Sequence, residues 1–171
     1  LISVVMPCYN AAPYVEEAIE SVLQQSYPDV ELIVVDDGST DGSSEILQRL
    51  SAEHPDRISL IYQNRDGPFA ARNRALAQAN GNFIAFLDAD DTWDKDALHR
   101  MHDALEADQA DIAYCGWQNI GVAATDTQPN IPPVFDAATG ANRFLDHCPW
   151  PIKIVLIRRQ LVDELRGFSE R

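Results

Sequence analysis

Short apolar runs alternate along the chain with segments whose apolar residues fall at helical spacing. Ile2–Met6, Val30–Val35, Ile58–Tyr62 and Phe83–Leu87 read as strands covered on both faces rather than on one. Between them Tyr14, Val15, Ala18, Ile19, Val22 and Leu23 keep helical spacing, as do Ile46, Leu47 and Leu50. Asn10 is placed to cap the first of these helices, with Pro13 in its first turn, and Asp41 to cap the second. A third helix is expected over Pro68–Asn80, closed by Gly81, and a fourth through Ala97–Leu105 before the apolar segment Ile112–Trp117. This β-α-β-α-β-α-β order predicts the α/β class, a three-layer α/β/α sandwich on a mainly parallel central sheet.

The periodicity weakens after Gly121. Ala123–Pro133 has the composition of a loop, Phe135–His147 is expected to include a short helix, Ile152–Ile157 a strand, and Arg159–Leu165 a helix stopped by Gly167. No repeat or linker interrupts the 171 residues, which fit one domain.

Charge narrows the partners. Lys and Arg number 13 against 27 Asp and Glu, a net charge of −14, which argues against a nucleic-acid or anionic-membrane surface. Cys8, Cys115 and Cys148 are far apart and form no CxxC pair, so neither a disulfide framework nor a zinc site is expected. No signal-peptide pattern opens the chain and no apolar run reaches membrane-spanning length. A cytoplasmic location is expected, with any membrane association through parts outside this chain.

Polar clusters follow three of the strands: Pro7-Cys8-Tyr9-Asn10, Asp36-Asp37-Gly38-Ser39-Thr40-Asp41 and Asp88-Ala89-Asp90-Asp91. In an open parallel sheet, ligands bind beyond the carboxyl ends of the strands, so these clusters can converge on one site. Asp88 and Asp90, two positions apart at a strand end, point the same way. Their charges would raise one another's pKa unless a cation sat beside them, and carboxylates with phosphate oxygens suit Mg²⁺ or Mn²⁺. Asp91, Thr92 and Asp94 are more simply read as capping and dipole residues of the next helix. Asp36-Asp37-Gly38 reads either as an Asx turn or as an acceptor for a base N–H or a ribose hydroxyl. Arg72, at a helix start, is a candidate phosphate contact, whereas Arg74 fits a surface ion pair. GxGxxG and GxxxxGK[ST] are both absent. His99 and His102 read as structural, and Cys8 as a small buried residue.

Taken in order, Pro7-x-Tyr9-Asn10, Val35-Asp36-Asp37-Gly38-Ser39-Thr40-Asp41, Gly67-Pro68-x-x-Ala71-Arg72-Asn73 and Phe86-Leu87-Asp88-Ala89-Asp90-Asp91 resemble the family-two inverting glycosyltransferases of the GT-A fold. Leu165-Arg166-Gly167-Phe168-Ser169-Glu170 looks like that family's Gly-Gly-Phe-Asp-Glu segment, so the likeness runs nearly the whole chain. It implies a nucleotide-sugar donor, most often UDP-linked, a glycan or lipid-linked acceptor, and a role in cell-envelope polysaccharide synthesis. Pro7, Tyr9 and Asp37 would line the nucleobase pocket, with Asn10 close by. Arg72 would lie near the base or phosphates. Asp88 would face the ribose or the metal, and Asp90 would ligate Mn²⁺ or Mg²⁺.

Arg166-Gly167 replaces the doubled glycine. The family's catalytic base lies beyond Gly-Phe-x-Glu, so it is expected outside this chain, beyond Arg171. This stretch is then expected to bind donor while transferring sugar poorly. A nucleotide-sugar-binding module without transfer activity is the alternative. A receiver-type phosphotransfer domain would need a lysine near a strand end, whereas Lys153 falls inside the predicted Ile152–Ile157 strand.

Overall fold

The computed structural model describes residues 1–121, 127–132 and 151–169. Six strands form one sheet: β1 (Ile2–Cys8), β2 (Val30–Asp36), β3 (Ile58–Tyr62), β4 (Phe83–Phe86), β5 (Ile112–Tyr114) and β6 (Val155–Arg158), in the spatial order β3-β2-β1-β4-β6-β5. The helices are α1 (Val15–Leu23), α2 (Ser43–Glu53), α3 (Pro68–Leu76), α4 (Ala97–Asp108) and α5 (Arg159–Leu165). Strands β1 to β4 pair in parallel, while β6 lies antiparallel between β4 and β5.

Alternation of side chains along each strand divides the core into two layers. Ile2, Val4 and Met6 of β1 pack with Val15, Ile19, Leu47, Leu98 and Leu105 from α1, α2 and α4. Val5, from the same strand, packs with Ala71 and Ala75 of α3 and Val162 of α5. Each central strand is therefore apolar on both faces, which accounts for the unbroken runs in the sequence.

Several expected boundaries are corrected. Helix α1 begins at Val15 rather than around Pro13, and α3 ends at Leu76, short of Asn80. Within the apolar segment Ile112–Trp117, β5 covers Ile112–Tyr114 and Trp117 forms an isolated bridge to Asn130. The Ile152–Ile157 run divides into a 3₁₀ turn over Ile152–Ile154 and β6 from Val155. Within that turn Lys153 is engaged through both its carbonyl and its side chain, as described below. The helix expected within Phe135–His147 lies outside the described residues. No helix among the described residues is long and apolar enough to cross a membrane.

The entry to β4 is fixed by close backbone packing against β1. Gly81 donates its N–H to Ser3 Oγ at 2.7 Å. A Cβ on Gly81 would meet Ser3 N and Oγ at 2.7 Å and Leu1 O at 2.9 Å, leaving no room for one. Gly81→Ala is expected to cost about 1–3 kcal/mol of stability, read as a lowered urea midpoint. An unchanged midpoint would contradict this packing.

Candidate functional site

Parallel pairing brings the ends of β1, β2 and β4 to one edge of the sheet, and long-range hydrogen bonds join the loops that leave there. Asp37 N donates to Cys8 O at 2.8 Å. Asn10, with a φ of 49°, accepts Thr40 N on its side-chain oxygen at 2.8 Å and donates its own N–H to Ser39 Oγ at 3.1 Å. Asn10 therefore ties the β1 loop to the β2 loop instead of capping α1, which has no side-chain cap. Asp41 does serve the start of α2. Its carboxylate accepts Ser43 N at 3.1 Å and Ser43 Oγ at 2.6 Å, and reaches across to Ala12 N at 3.0 Å. These bonds, led by that from the Ser43 hydroxyl, hold its pKa below the ordinary carboxylate range. Buried Asp36 accepts Ser39 N at 2.9 Å, three residues on rather than the two of an Asx turn, and also accepts the Ser44 hydroxyl.

Asp37 is buried as well, and its carboxylate organises the next loop. Oδ1 accepts Gln63 Nε2 at 2.8 Å and Asp66 N at 2.7 Å, while Oδ2 accepts Gly67 N at 3.0 Å. The loop so held lays the Arg65 guanidinium 4.6 Å from the ring centroid of exposed Tyr9. Gly38, at a φ of +74°, lets the backbone pass beneath; a Cβ there would sit 3.3 Å from Arg65 N. Half-buried Pro7 lies in β1 opposite Val35. Tyr9, Asn10, Gly38 and Arg65 are thus held close together at this edge, and no pattern in the sequence marked Arg65.

The aspartates after β4 occupy a tight turn in which Asp91 N donates to Asp88 O at 3.0 Å. Asp88 receives Arg72 Nη2 at 2.5 Å. Asp91 receives Lys153 Nζ at 2.6 Å. Asp90, between them, is exposed. Burial pushes the Asp91 carboxyl above its ordinary range, against the pull of Lys153 and with smaller additions from Asp90 and Asp88. The expected capping roles of Asp91, Thr92 and Asp94 are not found, since α4 starts only at Ala97 and has no side-chain cap.

Arg72 is buried beside two aromatic rings that stack on each other 5.9 Å apart, its guanidinium carbon 6.0 Å from the Phe69 centroid and 5.8 Å from that of Phe168. Its Nε finds no hydrogen-bond partner among the described residues. Asn73, the next residue, accepts Phe168 N at 2.8 Å and donates to Phe168 O at 2.9 Å, so one carboxamide pairs with the backbone as a strand would. Gly167 has a φ of +76°, and a Cβ there would lie 2.5 Å from Asn73 Oδ1. The Ala-Arg-Asn and Gly-Phe motifs, distant in sequence, are therefore two sides of one contact.

Beside the aspartate turn opens a cleft of about 1100 Å³ lined by Asp90, Asp91, Trp93, Cys115, Trp117 and Lys153, among others. No group of three or more His, Cys, Asp or Glu side chains among the described residues gathers in a metal-binding arrangement. The donor set nevertheless fits a magnesium-like ion, which commonly takes one or two protein carboxylates and fills its remaining positions from phosphate and water. His102 packs its ring on Tyr27 and Phe83, a structural role as expected, and Cys8 is buried. His147, Cys148, Trp150 and Glu170 lie outside the described residues. Lys153, which the sequence offered only as a cation inside the predicted Ile152–Ile157 strand, joins Arg65 among the residues that no motif marked for the site. Its signal was a single cation within a run predicted to be covered, a position that demands a carboxylate partner.

The family model for glycosyl transferase family 2 matches residues 3–166. A Bacillus subtilis glycosyltransferase assigned to teichuronic acid biosynthesis, TuaG, is 42% identical over 118 residues, covering 68% of this chain and 46% of that protein. Staphylococcus aureus TarS 1–349 in complex with UDP superimposes with a TM-score of 0.73 at 27% identity, over 99% of this chain and 50% of that one. A mannosyltransferase from Pyrobaculum calidifontis, in complex with GDP-Man and Mn²⁺, gives a TM-score of 0.74 at 25% identity over 99% and 47% of the two chains. The fold is that of the GT-A glycosyltransferases. The chain spans about half the length of these relatives.

Burial, reinforced by the neighbouring Asp36 charge, pushes the Cys8 thiol from 9.0 to about 12. Folded Cys8 keeps its proton where the unfolded chain loses it, so stability is expected to fall as pH rises from 9.0 to about 12. Cys8→Ala should flatten that decline in urea titrations, and at pH 8 the Cys8 thiol should be alkylated only after unfolding.

Proposed function

Since the chain belongs to glycosyl transferase family 2, we propose that it holds the nucleotide-sugar donor for an inverting, divalent-metal-dependent sugar transfer. The donor is UDP-linked and the acceptor is a glycan or lipid-linked glycan of cell-envelope polysaccharide. The observation that carries this reading is the presentation of exposed Asp90 on a turn whose other two aspartates already have cationic partners. The UDP and UDP-GlcNAc complexes of TarS support a uridine nucleotide, and the Mn²⁺ and GDP-Man complex of the mannosyltransferase supports the metal.

Tyr9 offers its exposed ring to the nucleobase, with Pro7 and Asn10 shaping the floor. Asp37 contributes chiefly by holding the Arg65–Gly67 loop, and its Oδ2 retains accepting capacity for a base N–H. Arg72 orients Asp88 toward the ribose, which favours that role for Asp88 over metal ligation. Asp90 would hold the ion, with nucleotide oxygens completing the set. Bound there, Mn²⁺ or Mg²⁺ would stabilise the charge that develops on the departing nucleoside diphosphate. The carboxylate that deprotonates the acceptor is assigned to none of the described residues.

Calorimetric titration of the chain with UDP and with GDP, with and without Mn²⁺, tests this reading. UDP is expected to bind, and Mn²⁺ to strengthen binding by at least about tenfold. Asp90→Ala should lose the strengthening while its circular dichroism stays unchanged. Absence of metal-dependent binding of either nucleotide by folded protein would overturn the proposal.

A further inference from the structure

We infer that Lys153 is a positioning residue for the aspartate turn, fixing its far end so that Asp90 alone is offered to a divalent cation; this rests on the function proposed above. The turn runs from Asp88 to Asp91 and is closed by its own backbone hydrogen bond at 3.0 Å. Its first residue is held by Arg72 of α3, its last by Lys153, and Asp90 lies between the two held ends. Three negative charges are thus set against two positive ones, leaving Asp90 without a cationic partner among the described residues.

Lys153 is built as a fixed post. Its carbonyl accepts Trp93 Nε1 at 2.8 Å, so the same residue grips the acidic loop at Asp91 and again two residues later. The next residue, Ile154, is buried in the core and accepts Cys115 N at 3.1 Å. Lys153 and Asp91 side chains are only 27% and 23% exposed, which separates this pair from the freely solvated ion pairs of the helix surfaces. Without the ammonium, Asp91 would turn away from its half-buried position toward water or toward the ion itself. Either movement displaces Asp90, bonded to it through one peptide.

The experiment compares the chain with Lys153→Met and Lys153→Arg by calorimetric titration of UDP in the presence and absence of Mn²⁺. Lys153→Met is expected to weaken the Mn²⁺-dependent binding by about tenfold, the scale of losing an outer partner of a metal site. Binding of UDP without metal should be unchanged, and Lys153→Arg should restore most of the loss. Asp91→Asn breaks the same pair without touching the Trp93 contact, and should show the same selective loss if Lys153→Met does not fold. Equal or tighter Mn²⁺-dependent binding by Lys153→Met overturns the inference, as does an equal loss with and without metal. Failure of the unsubstituted chain to bind UDP in a metal-dependent way overturns the proposed function itself, and this inference with it.

Discussion

Like charges crowded on one turn set the main constraint on this molecule. Two unit charges about 4 Å apart repel by about 4 kcal/mol at an effective dielectric near 20. Asp88, Asp90 and Asp91 share one turn in a chain that already carries a net charge of −14. The fold answers by importing cations from elsewhere: Arg72 from α3 in one layer, and Lys153 from the turn that leads into β6. Burying Arg72 is costly in itself, and the faces of Phe69 and Phe168 with the Asp88 carboxylate offset that cost. The acidic turn is therefore tied to α3 and to the entry of β6 by charge as well as by apolar packing.

The remaining loops of the site are organised by polar side chains that bond to distant backbone. Asn10 reaches Thr40, Asp41 reaches Ala12, Asp37 reaches Asp66 and Gly67, and Asn73 reaches Phe168. Loops carry backbone groups that no ladder satisfies, and these residues satisfy them while setting loop against loop. Loops tied together in this way are set before any ligand arrives, which lowers the ordering cost of binding.

Much of this was legible in the sequence. Residues of β1, β2 and β4 form largely apolar runs because both faces are covered, and that local signal needs no knowledge of partners. Edge strand β3, by contrast, leaves Ser59 and Tyr62 exposed against the expectation of full cover. The polar clusters that follow β1, β2 and β4 pointed to the edge where the loops of the candidate site meet. Other features were hidden because an isolated residue type does not reveal which bond it makes. Asn10 can cap a helix or bridge two loops, and only its partner at Thr40 decides between them. Asp91 suits a helix start on composition, yet it is claimed by a lysine 62 residues away. Ile152–Ile157 looks like one strand until Lys153 must turn its side chain and its carbonyl toward the same acidic loop.

Strand β6 is the one that runs against the others, so it enters the sheet at the rim where its neighbours leave. The connection from β5 to β6 consequently starts and finishes on that rim, its ends joined by the hydrogen bond from Cys115 N to Ile154 O. An insertion or deletion between these points changes the wall of the cleft and leaves strand register untouched. The residues of this connection that line the cleft, among them Gln118, Asn119 and Ile120, are therefore free of the register that fixes β5 and β6.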